Sequence, residues 1–145
     1  QYFLGVTVLS GNSMRPALCH GDILLYQRFG IRKPERGDVL IIRNGDGNGT
    51  VVAKRVIAVA GDTVSVDDYG HVTLNGIPLH EPEVLYGYQP GDERIEFPVT
   101  LDEGTFFYLG DNRPVSMDSR NATIAAGTME EVQGRVLSVF RLKPP

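Results

Sequence analysis

The 145-residue sequence has only one cysteine, Cys19, so no disulfide can form within the chain. It contains no run of about 18 consecutive apolar residues, the length that a membrane-spanning helix needs. Acidic side chains outnumber basic ones, 18 to 14, which gives a formal net charge of -4. This balance argues against a nucleic-acid partner bound through its phosphates. The chain is nevertheless long enough to bury an apolar core without disulfides.

Helix signals are also scarce, and only residues 121–132 have a composition compatible with a helix or with one short helical turn. The 17 glycines and 9 prolines indicate many turns. Runs of β-branched, aromatic and aliphatic residues predict strands. These runs cover residues 1–11, 21–29, 38–44, 51–60, 105–113 and 132–142. We therefore expect an all-β, antiparallel and hairpin-rich fold.

The interval 61–104 is more polar and richer in turn formers than the rest of the chain. Alternating residues around an Asp-Tyr-Gly turn and an Asn-Gly turn predict a hairpin excursion over residues 63–79. Residues 80–98 are typical of a long loop or an irregular strand. We expect a core of residues 1–60 and 105–145, with residues 61–104 inserted as a smaller β/loop lobe.

The glycine-rich cluster 45-GDGNG-49 lies between two predicted strands. Glycine and asparagine tolerate the positive φ angles of tight turns, so this cluster predicts a hairpin between residues 38–44 and the strand that begins at residue 51.

One short stretch contains several metal-ligating residue types, namely Cys19, His20 and Asp22. No second cluster of ligands accompanies them, and scattered ligands of this kind are most often structural. We predict neither a metal site nor a cofactor.

Ser13 lies in the stretch 10-SGNSMRPAL-18, in a turn after the first predicted strand. A serine hydroxyl is a weak nucleophile at neutral pH and needs a base within hydrogen-bond reach. His20, His71 and His80 are the candidate histidines, but none stands in a recognisable relation to an acid, and each is typical of a surface or turn position. A neutral lysine is the other candidate base.

Lys54 differs from Lys33 and Lys143, which lie in polar stretches where they should be solvated and protonated. It belongs to an almost uniformly apolar strand, and alternation defines the side chains on its face. These side chains are Val52, Val56 and Ala58. If the face is buried, desolvation lowers the pKa of Lys54 and allows it to act as a general base. The alternative is an edge-strand lysine whose ammonium reaches water, and Arg55 should emerge on the other face, beside an acid.

A third segment, 110-GDNRPVSMDSR-120, packs four charged side chains and two serines around one proline, directly after an apolar run. A salt-bridged turn at the end of a strand is one interpretation. The density of ions and hydroxyls also fits a platform that fixes a catalytic side chain through hydrogen bonds.

Taken in order, S-G-N-S-M-R-P-A-L, K-R-V-I-A-V-A-G-D and G-D-N-R-P-V-S-M-D-S-R resemble the three signature boxes of bacterial type I signal peptidases, in a Gram-positive-like variant. These are membrane-bound serine endopeptidases that use a Ser-Lys dyad. The resemblance runs from about residue 3 to residue 142. It implies a mostly antiparallel β core with a variable lobe inserted between the lysine box and the last box, and no cofactor.

The resemblance also implies a role for each matched residue. Ser13 matches the nucleophile, Lys54 the general base, and Ser116 the hydroxyl that orients the lysine ammonium. The residues of the last box that match structural supports are Asp111, Asn112, Arg113, Asp118 and Arg120. The backbone N–H of Ser13 would be one oxyanion donor. Gly11 stands where some members carry a serine that assists, so the second donor is open.

The implied substrate is the end of a secretory signal peptide with small residues at the first and third positions before the cut, an Ala-x-Ala pattern. Such a peptide would add as a strand between residues 7–11 and 51–54. The expected wall residues are Leu9, Met14, Leu18, Val52 and Ala53, of which Met14 and Leu18 also fit ordinary core.

The implied partners are preprotein signal peptides and a membrane lipid surface, with no nucleic acid. Family members hold this domain on the extracytoplasmic side of the cytoplasmic membrane through an upstream spanning helix. The chain begins with Gln1 and the apolar run 2-YFLGVTVL-9, which is consistent with a segment removed upstream and with a position near the bilayer.

Two alternative functions remain. A self-cleaving repressor-type Ser-Lys protease would share the first box, but that group lacks the last one. A catalytically silent signal-peptidase-like factor for pilus assembly typically loses the serine or the lysine, and both residues are present here.

Overall fold

The computed structural model describes residues 3–44, 47–91 and 93–142, and antiparallel strands dominate these ranges. The strands are β1 (Leu4–Val8), β2 (Ile23–Gln27), β3 (Val39–Arg43), β4 (Val51–Val59), β5 (Thr63–Val66), β6 (Val72–Leu74), β7 (Ile77–Pro78), β8 (Val99–Thr100), β9 (Thr105–Leu109), β10 (Gly127–Thr128) and β11 (Val132–Phe140). Short 3-10 helical turns occur at Arg113–Val115 and Met129–Glu131. The predicted all-β fold is confirmed. Within these ranges, no helix has the length and apolar character needed to cross a bilayer.

The strands form two sheets. One has seven strands in the order β1-β2-β11-β3-β4-β9-β10, and the other has four in the order β7-β6-β5-β8. The four-stranded sheet comes from within the interval 61–104. One apolar cluster joins the sheets, because Phe107 and Leu109 of β9 pack together with Val64 and Leu74 of the smaller sheet. The division into a core and an inserted lobe stays a prediction, since the two sheets share this cluster.

The turns follow from the residues that form them. Asn75 and Gly76 have φ angles of 51° and 81°, as a tight turn between β6 and β7 requires. β3 and β4 pair antiparallel, which confirms the predicted hairpin, although residues 45 and 46 of its glycine-rich connection lie outside the described residues. Gln1 and Lys143 also lie outside them. At residues 121–132 the chain forms β10 and a 3-10 turn. Of the two predictions for this segment, one short helical turn fits the structure better than a helix.

β4 departs from regular alternation near its end. A β-bulge lies between Val56 and Ala58, where the register with β9 shifts. As a result Val52 and Val56 belong to one apolar cluster, whereas Ala58 packs in the cluster between the two sheets. The prediction that Ala58 shares the face of Lys54 was therefore wrong, because the bulge reverses the alternation.

The first half of β4 has a strand on one side. β3 pairs with residues 51–55, while β9 pairs with β4 from Arg55 onward. Among the described strands, none pairs with residues 51–54 on the β9 side. This leaves a short backbone edge open beside Lys54.

Candidate active site

Ser13 lies in the turn after β1, and this turn is held from two directions. Met14 is fully buried and anchors it in an apolar cluster with Leu18. From the other direction, the backbone N–H of Asn112 donates to the Ser13 carbonyl oxygen over 2.9 Å. The side-chain amide of Asn112 donates to the Asn12 carbonyl oxygen over 3.1 Å, across 100 positions of sequence. The last box, residues 110–120, therefore holds the turn that contains Ser13, which we call the serine turn.

Lys54 is buried, with 2% of its surface exposed, and it lies opposite Leu40 in the β3–β4 ladder. Burial is the main cause that lowers the pKa of its ammonium from 10.5 to about 8. The charge of Asp118 opposes this change, Arg120 adds to it, and Asp111 opposes it. The alternative of a lysine that reaches water is contradicted by this burial.

Ser13 and Lys54 line the same open cavity, whose volume is about 730 Å³. The other residues that line it are Gly11, Asn12, Arg15, Asn44, Thr50, Val52, Asn112, Val115 and Met117. A hydroxyl and a buried amine with a lowered pKa thus face one space. A neutral amine in such a position is able to accept a proton from the hydroxyl.

Ser116 is buried, and its Oγ accepts a hydrogen bond from the Gly110 backbone N–H over 3.1 Å. Gly110 is wedged between Ser116 and the serine turn, because an added Cβ would meet the Ser116 hydroxyl and would lie 2.6 Å from the Ser13 carbonyl oxygen. Only glycine fits there. The last box thus places Ser116 close to the serine turn, while Ser13 shares its cavity with Lys54.

Arg55 links the strand of Lys54 to the last box. Its Nε and Nη2 donate to the two carboxylate oxygens of Asp111 over 2.9 and 2.8 Å. Asp111 is buried and is followed directly by Asn112, which holds Ser13. The prediction that Arg55 lies beside an acid is confirmed, and this ion pair joins the two sides of the cavity.

Two buried arginines fix the rest of the last box. Arg120 pairs with Asp118 through bonds of 2.9 and 3.0 Å and also donates to the Arg113 carbonyl oxygen over 2.9 Å. Arg113 donates its Nε to the Gly110 carbonyl oxygen over 2.9 Å and pairs with Glu81 at 2.6 Å. The backbone is thereby fixed although it has little regular structure. This geometry is compatible with supporting roles for these residues, which stay predictions.

Gly11 lies in the serine turn with a φ of 94°, in the left-handed region that favours glycine. Its N–H donates to Nδ1 of His20 over 3.0 Å. A serine at this position would be strained, which gives a physical reason for the missing hydroxyl. The oxyanion roles of Gly11 and of the Ser13 N–H stay predictions.

One of the five expected wall residues, Val52, lines the cavity. Met14, Leu18 and Ala53 are instead buried together in a core cluster, and Leu9 packs against it. This is the ordinary-core alternative for Met14 and Leu18. Contact of any of the five with a substrate stays a prediction.

Several cavity residues were missed by sequence reasoning. Val115 and Met117 are 57% and 55% exposed and flank the buried Ser116, so alternation around Ser116 was the signal that indicates them. Asn44 and Thr50 come from the two ends of the β3–β4 connection. No sequence signal relates these two polar residues to Ser13.

None of the three histidines is among the residues that line the cavity of Ser13 and Lys54. His71 pairs with Asp67 at 3.1 Å and stacks on Tyr86, so the expectation that no histidine is related to an acid was wrong. The turn between β5 and β6 brings this pair together, and both side chains are exposed. Neither is among the residues that line the cavity of Ser13.

The polar groups of the Cys19 stretch are engaged in protein contacts. Asp22 accepts a hydrogen bond from the Cys19 N–H over 2.8 Å and forms a 2.8 Å ion pair with Arg141. The Arg141 guanidinium lowers the pKa of the Asp22 carboxyl below 3.8. These contacts tie the serine turn to the end of the chain.

Known proteins support the interpretation of this geometry. A profile of the family described as signal peptidase, peptidase S26, matches residues 1–141. Signal peptidase I P of Bacillus subtilis subsp. natto is 32% identical over 142 residues, which cover 92% of this chain and 74% of that protein. Thylakoidal processing peptidase 1, chloroplastic, of Arabidopsis thaliana is 34% identical over 149 residues, covering 94% of this chain and 41% of that protein.

A solved structure agrees with these relatives. The crystal structure of a signal peptidase I from Enterococcus faecalis superposes with a TM-score of 0.55 at 32% identity, covering 75% of this chain and all of that one. The family match over almost the entire chain, together with relatives above 30% identity, shows that this chain belongs to the signal peptidase family, peptidase S26.

Proposed function

We propose that this chain is the catalytic domain of a type I signal peptidase, a serine endopeptidase that cuts N-terminal signal peptides from preproteins with a Ser13–Lys54 dyad. One observation carries the proposal: Lys54 is buried, has a pKa lowered to about 8, and faces the same cavity as Ser13. Family membership supports the peptidase activity.

In the proposed acylation, Ser13 Oγ attacks the scissile carbonyl carbon while neutral Lys54 takes the hydroxyl proton. The tetrahedral intermediate then breaks its C–N bond, and the Lys54 ammonium gives that proton to the leaving amine, the new N-terminus of the mature protein. Lys54, again neutral, deprotonates a water that attacks the ester on Ser13. The Ser13 oxygen leaves with the proton that Lys54 took from the water, and the signal peptide is released as a carboxylic acid, which ionises by losing its proton to solvent.

The remaining roles surround this dyad. Ser116 orients the Lys54 ammonium, a role supported by its burial next to Gly110 and the serine turn. The backbone N–H of Ser13 is the first oxyanion donor. Asp111 and Asn112 hold the serine turn against the strand of Lys54, as their contacts with Arg55 and Ser13 support.

The substrate binds as an added strand. The open edge of residues 51–54 offers backbone groups to an extended peptide, which runs between this edge and residues 7–11. Alternate side chains of an extended peptide point to the same side. The first and third residues before the cut therefore share one wall, where Val52 and the cluster behind it limit their size.

The protein works at a membrane surface, on the extracytoplasmic side of the cytoplasmic membrane. Support comes from large apolar side chains that are exposed on β1 and β11 and next to them, strands that both pair with β2. These side chains are Phe3, Leu4, Val6, Val8, Phe29, Leu137, Val139, Phe140 and Leu142. An exposed apolar surface of this kind fits contact with lipid.

The test is incubation of the purified chain with a preprotein that carries an Ala-x-Ala site, in detergent. We expect a single cut after the second alanine, and no cut when that alanine is replaced by a bulky residue. Ser13→Ala should abolish turnover without changing the thermal melting temperature. Absence of cleavage by the folded wild-type chain would refute the activity, and wild-type rates for Lys54→Ala would refute the dyad.

A further inference from the structure

Residues 85–89, which we call the strap, run alongside the last box and are hydrogen-bonded to it. The Leu85 N–H donates to the Asp111 carbonyl oxygen, and the Arg113 N–H donates to the Leu85 carbonyl oxygen, each over 2.9 Å. At the other end of the strap, the side-chain amide of Gln89 donates to the Ser116 carbonyl oxygen over 2.7 Å. The strap therefore contacts the last box at two places: Leu85 bonds to Asp111 and Arg113, and Gln89 bonds to Ser116.

The strap is itself held by the hairpin between β5 and β6. The Gly87 N–H donates to the Tyr69 carbonyl oxygen over 3.0 Å, and the Gln89 N–H donates to the Asp68 carbonyl oxygen over 3.2 Å. Arg94 donates to the carbonyl oxygen of Gln89 and pairs with Asp68 at 3.5 Å. The backbone of Gln89 is thus fixed on two sides, which leaves its amide directed at the last box.

The contact at Ser116 matters because few other groups hold this residue's peptide plane. Its carbonyl oxygen accepts from Gln89 over 2.7 Å and from Arg120 over a longer 3.3 Å. The hydroxyl of Ser116 lies on the same residue and is bonded to the Gly110 N–H. A displacement of the Ser116 backbone would move this hydroxyl from its place beside the serine turn.

We propose that Gln89 is a positioning residue for the Ser-Lys reaction, which acts by fixing Ser116. The inference rests on the proposed function, in which Ser116 orients Lys54. It also gives the four-stranded sheet a part in the reaction, since the β5–β6 hairpin sets the place of Gln89.

The effect of the Gln89 amide on turnover can be measured separately from its effect on folding. A single neutral hydrogen bond contributes only a small part of the stability of a folded protein, so removing it should leave the protein folded. A shift of about 1 Å in a group that serves catalysis lowers rates by up to about 100-fold. Loss of the Gln89 amide is therefore expected to reduce turnover more than it reduces stability.

The experiment uses Gln89→Met, which keeps the length of the side chain but removes the donor. On a preprotein substrate, kcat should fall roughly tenfold while KM stays within about twofold of wild type. Gln133→Met is the matched control, because Gln133 is exposed on β11, and it should leave both constants unchanged. If Gln89→Met does not fold, Gln89→Asn, which keeps the amide but is one methylene shorter, provides the same test.

A double-mutant cycle then shows whether Gln89 acts through Ser116. In a Ser116→Ala background, Gln89→Met should lower kcat by less than about twofold, because its target hydroxyl is already absent. An equal tenfold loss in both backgrounds, or an unchanged kcat for Gln89→Met alone, would overturn the inference while the proposed function stands. Absence of cleavage by wild type, or wild-type kcat for Ser116→Ala, would overturn the proposed roles and this inference with them.

Discussion

β9 connects two regions that are built on different principles. On one side, Phe107 and Leu109 belong to the apolar cluster between the sheets, whose side chains interact by apolar packing. Directly afterwards the last box buries charged groups, among them Asp111 and Arg113, each of which depends on particular partners. Apolar packing tolerates changes that conserve volume, whereas a buried ionic network loses stability when one partner is removed. The cluster between the sheets thus supplies stability, and the last box supplies geometry.

Lys54 is the most costly group of the polar region. Its buried ammonium has a pKa near 8, so at pH 7 the fold holds a charge that water would solvate better. A reactive site that reduces stability in this way is a known trade-off in enzymes.

The largest expected effect comes from Lys54→Met, which turns a polar position into an apolar one. Without the base, kcat should fall by roughly 10³-fold or more. At pH 7 the variant should be more stable than wild type by up to about 3 kcal/mol, because a shift of one pKa unit corresponds to about 1.4 kcal/mol. Urea unfolding and preprotein cleavage measure the two effects. A variant less stable than wild type at pH 7 would contradict the cost assigned to the buried charge.

The stability difference between wild type and Lys54→Met should depend on pH, because Lys54 titrates. The folded pKa is about 8 and the ordinary value is 10.5, so the unfolded chain binds more protons between these two pH values. The stability of wild type should therefore rise with pH across this window, and the advantage of Lys54→Met should shrink there. Cleavage needs neutral Lys54, so kcat/KM should rise as the pH increases through about 8.

Glu81→Ala should have the next largest effect. It leaves the guanidinium of Arg113, which is 0% exposed, without its carboxylate partner. Removing one member of a buried pair costs about 3–5 kcal/mol. Glu83→Ala is the matched control, since Glu83 is exposed two positions away and should change stability by less than about 0.5 kcal/mol. Similar melting temperatures for the two variants would refute the importance of the Arg113 pair.

Ile57→Val tests the apolar cluster between the sheets at a position on β4, the strand that also contains Lys54. Ile57 belongs to the cluster between the sheets, and loss of one methyl group should cost about 0.5–1.5 kcal/mol. The kcat of the folded variant should match that of wild type. A tenfold fall in kcat would show that the apolar cluster also sets the geometry of the site.

Arg36→Ala should have the smallest effect, because its pair with Asp62 is partly solvated. Arg36 is 51% exposed, and such pairs contribute about 1 kcal/mol or less. Its hydrogen bonds hold the pKa of Asp62 near 2, below the ordinary 3.8. The stabilisation is therefore complete above pH 3.8 and is lost as the pH falls through about 2. Free energies of unfolding that differ between variant and wild type by several kcal/mol at pH 7 would contradict this ranking.

Local patterns were sufficient to predict most of the strands, but they left the burial of Lys54 open, and only the fold shows that this lysine is buried. Hydrophobic runs and alternation depend on neighbours in sequence, and they located β4 and the apolar strand around its lysine. The bulge between Val56 and Ala58 arises from pairing with β9, about fifty positions away, and no feature of β4 alone indicates it. The assignment of Ala58 failed for this reason.

Within the site, the resemblance selected Ser13 and Ser116, but the contacts that join them needed the fold. Arg55 and Asp111 are 56 positions apart, so their pairing has no local signal beyond charge. Gln89 lies in a stretch of turn formers, where sequence predicts a loop without indicating that its amide reaches Ser116.

The contact between Asn112 and the serine turn has a consequence for the order in which the protein matures. The groups that hold Asn12 lie 100 positions downstream, so a chain made from its N-terminus has Ser13 long before it has the segment that fixes it. Contacts of such separation close a long loop, and the entropic cost of closing it makes them slow to form. The nascent chain should therefore remain without peptidase activity until the last box is synthesised and docked on the serine turn.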